Sequence, residues 1–342
     1  MQPFHFARAA EARTAILIHG SSPKDASSNP ANATAQYLAG GTTLLDLMKL
    51  GVVRPEQVID INDLEHTKAG AIEVGTDGLR LGAMSRMSAA ADHPDIRRDF
   101  PVVSQSLQLA ASAQIRNMAS LGGNVLQRTR CTYFRDVSYE NCNKRRPGSG
   151  CAALDGFNRT HAVLGTSDQC IATYPGDFAQ ALIALDARVE VAGRKGVREF
   201  PFAQLHRLPG EAPHLETTLA PEEMIVSFYI PKSSYARRSL FLKVRDRESY
   251  EFALASAAVA LDLDGDSVRQ ARIALGGVAT VPWRAHKAEQ ILAGERLNDA
   301  ILNTAAEVAF RDTASRTHNA FKVELGKRTL VRALRETAAM EI

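Results

Sequence analysis

Apolar positions along this chain fall into short runs that change period every ten to twenty residues, so strands and helices alternate in blocks. Gln36-Tyr37-Leu38-Ala39 predicts a short strand, Gly40-Gly41 a turn, and Thr42 the N-cap of a helix carrying Leu44, Leu45, Leu47 and Met48. Val58 to Ile61 predicts the next strand. Ala71 to Val74 and Leu79 to Gly82 flank Thr76-Asp77-Gly78 as a hairpin with Gly78 left-handed. Helices are expected over about Ser88–His93 and Pro101–Ala113, the second opened by a proline in its first turn. After an irregular middle, a helix from Asp177 to Leu185 follows the Pro175-Gly176 turn, then strands at Arg188–Val191 and Ile225–Ile230. Pro231 closes the latter, and Lys232-Ser233-Ser234 reads as a linker. Leu240–Val244, the apolar run Phe252–Leu263, the Asp264-Gly265-Asp266 turn and Ala271–Leu275 are strand-like or mixed, and helical spacing dominates from Ala285 onward. Mixed blocks of this kind indicate an α+β protein rather than one doubly wound sheet.

Composition narrows the classes. The 342 residues suggest two or three domains, and 45% hydrophobic with 23% charged residues is ordinary for a globular protein. A net charge of +3 and 6% aromatics do not make the basic, aromatic-lined groove of a nucleic-acid binder. No run of eighteen apolar residues occurs, so no membrane-spanning helix is expected. Met1-Gln2-Pro3-Phe4-His5-Phe6 has neither a basic n-region nor an apolar h-region, and by its own residues the chain reads as cytoplasmic. There is no repeat of twenty to fifty residues and no low-complexity tract.

The four cysteines, Cys131, Cys142, Cys151 and Cys170, all lie in one forty-residue window. Packing alone would scatter them, whereas chemistry needing several thiolates gathers them. The spacing lacks the close pairs of a structural zinc knuckle, and a chain this long has little need of disulfide staples. A four-thiolate iron–sulfur cluster suits the spacing best, with zinc, two disulfides and unrelated free thiols as alternatives. Arg128, Arg130, Lys144, Arg145 and Arg146 flank the thiols, either to favour a reduced cluster or as a solvated basic loop. Pro147-Gly148-Ser149-Gly150 supplies the freedom to turn Cys151 back toward a common centre.

Two glycine pairs offer bare backbone. Gly40-Gly41 lies between a strand and a helix and is either a plain turn or a phosphate site, while Gly122-Gly123, in Ser120-Leu121-Gly122-Gly123-Asn124, is a second such loop. No G-x-G-x-x-G follows any strand, which argues against a Rossmann dinucleotide domain.

The stretches Tyr-Leu-Ala-Gly-Gly-Thr-Thr-Leu-Leu-Asp-Leu-Met-Lys from Tyr37 and Ile-Arg-Asn-Met-Ala-Ser-Leu-Gly-Gly-Asn from Ile115 resemble the two FAD loops of the flavin subunit of molybdenum hydroxylases, the xanthine dehydrogenase family. The segment from Gln127 through Cys151 is similar to the subgroup of periplasmic aldehyde oxidoreductase FAD subunits, which carry a further [4Fe-4S] cluster. The resemblance runs essentially end to end. It departs where most members continue after Gly-Gly-Asn with small residues: here Val125-Leu126-Gln127-Arg128 leads into a long insertion.

The resemblance implies an FAD-binding domain of the vanillyl-alcohol-oxidase (PCMH) type over 1–231, in subdomains of about 1–63 and 64–231 with a [4Fe-4S] insertion at about 127–172, then a smaller α+β domain over 232–342. It implies FAD held by Gln36, Tyr37, Leu38, Ala39, Gly40, Gly41, Thr42, Thr43 and Leu44 on one side and by Ser120, Gly122, Gly123 and Asn124 on the other. Asp177, Ile225 and Lys243 take positions near the flavin in the family; from the residues alone Asp177 reads as a helix N-cap and Lys243 as a strand-edge charge. It also implies Cys131, Cys142, Cys151 and Cys170 as cluster ligands, no substrate-oxidising residue in this chain, a small [2Fe-2S] subunit and a large molybdenum-cofactor subunit as partners, and an external electron acceptor. Export to the periplasm would then depend on a signal-bearing partner. The alternatives are the corresponding subunit of an aromatic acyl-CoA reductase and a non-catalytic zinc-binding module.

Overall fold

The computed structural model describes residues 1–21 and 33–342, and among these the strands assemble into three sheets. The first is parallel, with β1 (His5–Arg8), β2 (Ala35–Leu38) and β3 (Gln57–Asp60) in the order β1-β3-β2. Parallel neighbours need a crossover, and the helix Leu44–Lys49 supplies the one from β2 to β3. Gly41 has φ +73°, which carries the turn one residue further than expected, so Thr43 rather than Thr42 is the N-cap and makes no side-chain cap bond.

The second sheet is antiparallel: β4 (Ile72–Val74), β5 (Gly78–Gly82), β6 (Arg188–Gly193), β7 (Gly196–Pro201) and β8 (Met224–Pro231), ordered β4-β5-β8-β6-β7. Gly78 is not left-handed in the hairpin. It begins β5 at φ +158°, where a Cβ would stand 2.3 Å from the Ile230 carbonyl oxygen, so a close strand approach explains the glycine. Helices Met87–Asp92, Pro94–Asp99, Pro101–Gln108 and Phe178–Ala184 contribute to the core on this sheet, with Leu81, Leu107, Phe178 and Phe228 buried together. The expected helix to Ala113 stops at Gln108 because Ala111 turns to φ +50° and Ser112 caps a new helix, Ala113–Met118, accepting from the Ile115 amide.

The third sheet is antiparallel, with β9 (Ser239–Val244), β10 (Ala255–Asp264), β11 (Ser267–Gly276) and β12 (Trp283–Arg284) in the order β12-β11-β10-β9. The long apolar run is β10, buried on both faces. Ala258 and Ala260 join the core of the second sheet, and Ala257, Val259 and Leu261 pack with Ala306, Leu330 and Leu334 of the last helices. Those helices are His286–Leu292, Asp299–Ala309 and Phe321–Ala338. One strand therefore serves two cores, and the connection from Pro231 to Ser239 is itself tied down by buried Tyr235 and Ala236.

Candidate functional site

The turn after β2 opens into a cavity of about 870 Å³, at the upper end of what small-molecule and cofactor sites occupy. Gln36, Tyr37, Ala39, Gly40, Gly41, Thr42, Thr43 and Leu44 line one wall. Among the described residues the amides of Gly40, Gly41, Thr42, Thr43 and Leu44 make no hydrogen bond, so five consecutive donors are left for an occupant. Gly40 is compulsory for a separate reason: its missing Cβ would fall 1.9 Å from the carbonyl oxygen of Met118, on the chain leading to the second glycine pair. The two glycine segments thus abut.

Ser120, Gly122 and Gly123 line the cavity from that second segment, but not as bare backbone. Residues Leu121–Val125 form a short helix whose N-cap Ser120 accepts from the Gly123 amide at 3.2 Å, and the Gly122 amide donates to the Ala83 carbonyl at 2.8 Å. The expected sandwich of two free-amide loops is therefore one-sided: the first loop offers donors, and the second offers a small surface for close approach. Ile225 of β8 completes the set of expected residues on the wall.

Leu38, Asn124, Asp177 and Lys243 do not line the cavity. Asn124 directs Nδ2 to the Met87 sulfur and keeps a buried Oδ1 without a partner. Asp177 is the N-cap residue of Phe178–Ala184 but makes no side-chain cap bond. Its carboxylate instead accepts from Lys243 Nζ at 2.6 Å, and both side chains are buried. Burial raises the Asp177 pKa while Lys243 and Arg245 oppose the rise.

The wall also holds groups whose cavity role the sequence did not signal. Arg128 Nε donates to Glu216 Oε2 at 2.5 Å, and Lys144 Nζ donates to Glu216 Oε1 at 2.9 Å and to the Pro213 carbonyl at 3.0 Å. Burial alone would raise the Glu216 pKa, but the two cations hold it down at about 2. Tyr174 and His206 both donate to the Val125 carbonyl, at 2.9 and 3.2 Å, and burial lowers the His206 pKa to about 4, leaving a neutral ring. Glu216 and His206 come from sequence far beyond the insertion, and nothing local to them signals a shared wall.

The four cysteines meet in one apolar nest with Leu47, Val58, Phe134 and Ile171. All four are free thiols, so the alternative of two disulfides is not what the structure shows. Cys142 and Cys151 face each other across an isolated antiparallel bridge, as do Ser167 and Cys170. Burial pushes the Cys131 thiol up to about 12, whereas a hydrogen bond from Cys170 pulls Cys151 down to about 6. His161 Nε2 lies 3.2 Å from Cys131 Sγ. Among the described residues no group of three or more His, Cys, Asp or Glu side chains closes tightly enough to hold a metal ion. Most of the flanking basic residues are engaged: Arg128 and Lys144 with Glu216, Arg130 with Asp46, and Arg145 with the carbonyls of Tyr133 and Phe134, whereas Arg146 is exposed. Arg135 also pairs with Asp46.

Comparison with known proteins places these features. Residues 14–233 match the FAD binding domain in molybdopterin dehydrogenase, and residues 241–337 match the CO dehydrogenase flavoprotein C-terminal domain. The chain is 45% identical over 310 residues to the aldehyde oxidoreductase FAD-binding subunit PaoB of Escherichia coli, covering 89% of this chain and 92% of that one. It is 22% identical over 311 residues to the glyceraldehyde dehydrogenase medium chain of Sulfolobus acidocaldarius, covering 90% and 92%. The fold is shared with a chain of the carbon monoxide dehydrogenase of Hydrogenophaga pseudoflava, at a TM-score of 0.74 and 22% identity over 99% of this chain and 98% of that one.

Proposed function

This chain belongs to the family of FAD-binding subunits of molybdopterin dehydrogenases, and from that premise we propose that it is the FAD and [4Fe-4S] electron-transfer subunit of a three-subunit molybdenum aldehyde oxidoreductase. The observation that carries the flavin reading is the run of five unpaired amides from Gly40 to Leu44 on the wall of the 870 Å³ cavity. Such donors suit the oxygens of a diphosphate, and Gly40 keeps the backbone close to the opposing segment. Flavin, when bound, accepts electrons singly or in pairs and so couples one-electron centres to a two-electron acceptor. The chain's own share is to bind and orient: the amide run takes the anionic middle of the cofactor, Ile225 and the glycine surface exclude water, and neutral His206 with Tyr174 fixes the end of helix Leu121–Val125.

The gathering of four free thiols in one apolar nest supports a [4Fe-4S] cluster with Cys131, Cys142, Cys151 and Cys170 as ligands, and the cluster would have to draw together side chains that among the described residues close no metal site. The 45% likeness to an aldehyde oxidoreductase subunit supports aldehyde as the substrate class of the complex, oxidised on a large molybdenum subunit. A small [2Fe-2S] subunit would then feed this chain, which passes electrons to an external acceptor. Periplasmic residence by co-export with a signal-bearing partner is supported by the resemblance of the segment from Gln127 through Cys151 to periplasmic aldehyde oxidoreductase FAD subunits.

Anaerobic purification with a visible spectrum and flavin, iron and sulfide analysis tests both cofactors. One FAD with four iron and four sulfide per chain is expected, falling to near zero iron in each single Cys→Ser variant. Flavin without iron would remove the cluster, and a colourless protein that takes up no FAD would remove the flavin.

A further inference from the structure

Away from the large cavity, a second pocket of about 270 Å³ lies where the turn after helix Pro101–Gln108 meets the loop that follows β9, and the two share no lining residue. Arg116 and Arg245 both line it. Each is pinned by one bond from Nη1, Arg116 to the Ala110 carbonyl at 2.8 Å and Arg245 to the Leu109 carbonyl at 3.1 Å, so two consecutive carbonyls hold the guanidinium groups as neighbours. Among the described residues neither arginine has a carboxylate partner, and the Nε and Nη2 edge of each makes no hydrogen bond. None of these nitrogens is among the buried polar atoms that lack a partner, so the free edges are open to solvent. Asp177, the carboxylate that Arg245 acts on, is already taken by Lys243 at 2.6 Å, and Glu248 and Glu251 of the same loop do not line the pocket. Two positive charges on its wall are left uncompensated.

The backbone supplies an independent observation. Three non-glycine residues among those described have positive φ, and two of them, Ala111 at +50° and Tyr250 at +53°, line this pocket, one from each of its two segments. Left-handed backbone is unfavourable for a residue with a Cβ, and such strain persists where the surroundings demand a particular local shape. Capping the carbonyls at the end of helix Pro101–Gln108 takes one bond from each arginine and asks for neither outlier.

We propose that this pocket binds an oxyanion, a phosphate or carboxylate group, between the Nε and Nη2 edges of Arg116 and Arg245. The side-on edge of a guanidinium matches two oxygens of such a group, and the uncompensated charge favours an anion over a neutral ligand. Ser112 and Ser249 add hydroxyls to the wall. Ser112 Oγ already accepts from the Ile115 amide, which leaves its proton to donate. The volume is slightly below that of ordinary small-molecule sites, so the pocket takes a small anion or the anionic end of a larger molecule. It stands whether or not the large cavity holds a flavin.

The test is isothermal titration calorimetry of the full-length protein with inorganic phosphate and with acetate at constant ionic strength, with chloride as the control. Saturable binding of one anion per chain is expected, and preference for phosphate or for acetate identifies the group. Arg116→Met and Arg245→Met should each weaken binding by roughly ten- to a hundredfold, the range for hydrogen bonds to a charged group. Both variants also lose a bond to the end of helix Pro101–Gln108. Ser249→Glu leaves those bonds intact, sets a carboxylate of the chain's own beside the two arginines, and should abolish anion uptake while the melting temperature is kept. Parent-like affinity in the folded arginine variants, or in Ser249→Glu where these do not fold, places the anion elsewhere, the amide run of the large cavity included, and overturns the proposal. A parent protein that binds neither probe, or that responds equally to chloride, overturns it as well.

Discussion

Lys243 on β9 and Asp177 at the start of helix Phe178–Ala184 form an ion pair of 2.6 Å with side chains 2% and 5% exposed, joining the third sheet to the core of the second. Lys243 Nζ also donates to the Leu109 carbonyl at 3.1 Å, which accepts from Arg245 as well. Removing one member of a buried pair strands the other, a change that costs about 3–5 kcal/mol, whereas replacing both by apolar groups is often close to neutral. Lys243→Met is expected to lower unfolding stability by that amount, and Lys243→Met with Asp177→Leu to recover most of it. Denaturant midpoints decide the matter, and equal stability of the single and double variants would show that the pair does not act as a unit.

The glycine turn is expected to fail in two different ways. Gly40→Ala drives a Cβ against the Met118 backbone, which cannot yield without moving the second glycine segment. Gly41→Val instead strains the backbone, because φ +73° disfavours a β-branched residue, and its Cβ would sit 2.9 Å from Leu45 Cδ1. Both variants should lose bound flavin, with Gly40→Ala also lowering the melting temperature. Stoichiometric flavin in folded Gly41→Val would show that the amide run tolerates rearrangement.

Glu216 makes stability depend on acid in a defined window. Its folded pKa of about 2 lies below the ordinary value of 4.5, so the stabilisation is complete above pH 4.5 and is lost as pH falls toward 2. The depression corresponds to about 3 kcal/mol at neutral pH. Glu216→Gln should be less stable at pH 7 yet flatter between pH 5 and pH 2. A parent protein and variant with parallel acid limbs would mean that Arg128 and Lys144 do not hold this carboxylate.

Much of the fold was readable because its signals are local. Alternation in Val58–Ile61 and Ile225–Ile230, the prolines before two helices and the gathered cysteines each sit within a few residues. What escaped reading depends on distant partners. Gly40-Gly41 and Gly122-Gly123 are alike as dipeptides, yet Ala83 and Ser120 consume the amides of the second pair and leave those of the first free. Arg128 reads in the sequence as a flank of the cysteines, and its partner Glu216, 88 residues on, is not signalled locally. Helix Ala12–Ser21 and strand β7 lacked strong periodicity, since β7 is mostly exposed and borrows its order from pairing with β6. The apolar run at β10 was ambiguous for the opposite reason, being buried on both faces.

Lys322 offers a way to separate the cysteine segment from the flavin cavity. It is fully buried on the last helix, and its Nζ donates to the carbonyls of Thr160 at 3.2 Å, His161 at 3.1 Å and Gly277. Three N–H bonds meet three acceptors, two on the cysteine segment and one just past β11. Nearby, Asn319 Nδ2 donates to Ala162 at 3.0 Å, and Asn158 Oδ1 accepts from the His318 amide at 3.0 Å, so one face of the molecule clamps the loop that brings His161 to Cys131. Lys322→Met leaves the buried His161 and Gly277 carbonyls without their donor, while the Thr160 carbonyl keeps Thr173 Oγ1, and is expected to cost on the order of 3 kcal/mol. Lys322→Arg should not restore it, because a planar fork cannot reach three converging oxygens. Since Lys322 is not on the cavity wall, the variant should lose iron and hydrogen-exchange protection around residues 158–163 while keeping its flavin. Parallel loss of flavin and iron would mean that the clamp supports the whole fold rather than the cysteine segment, and retention of both would mean that the His161 and Gly277 carbonyls find water or other donors.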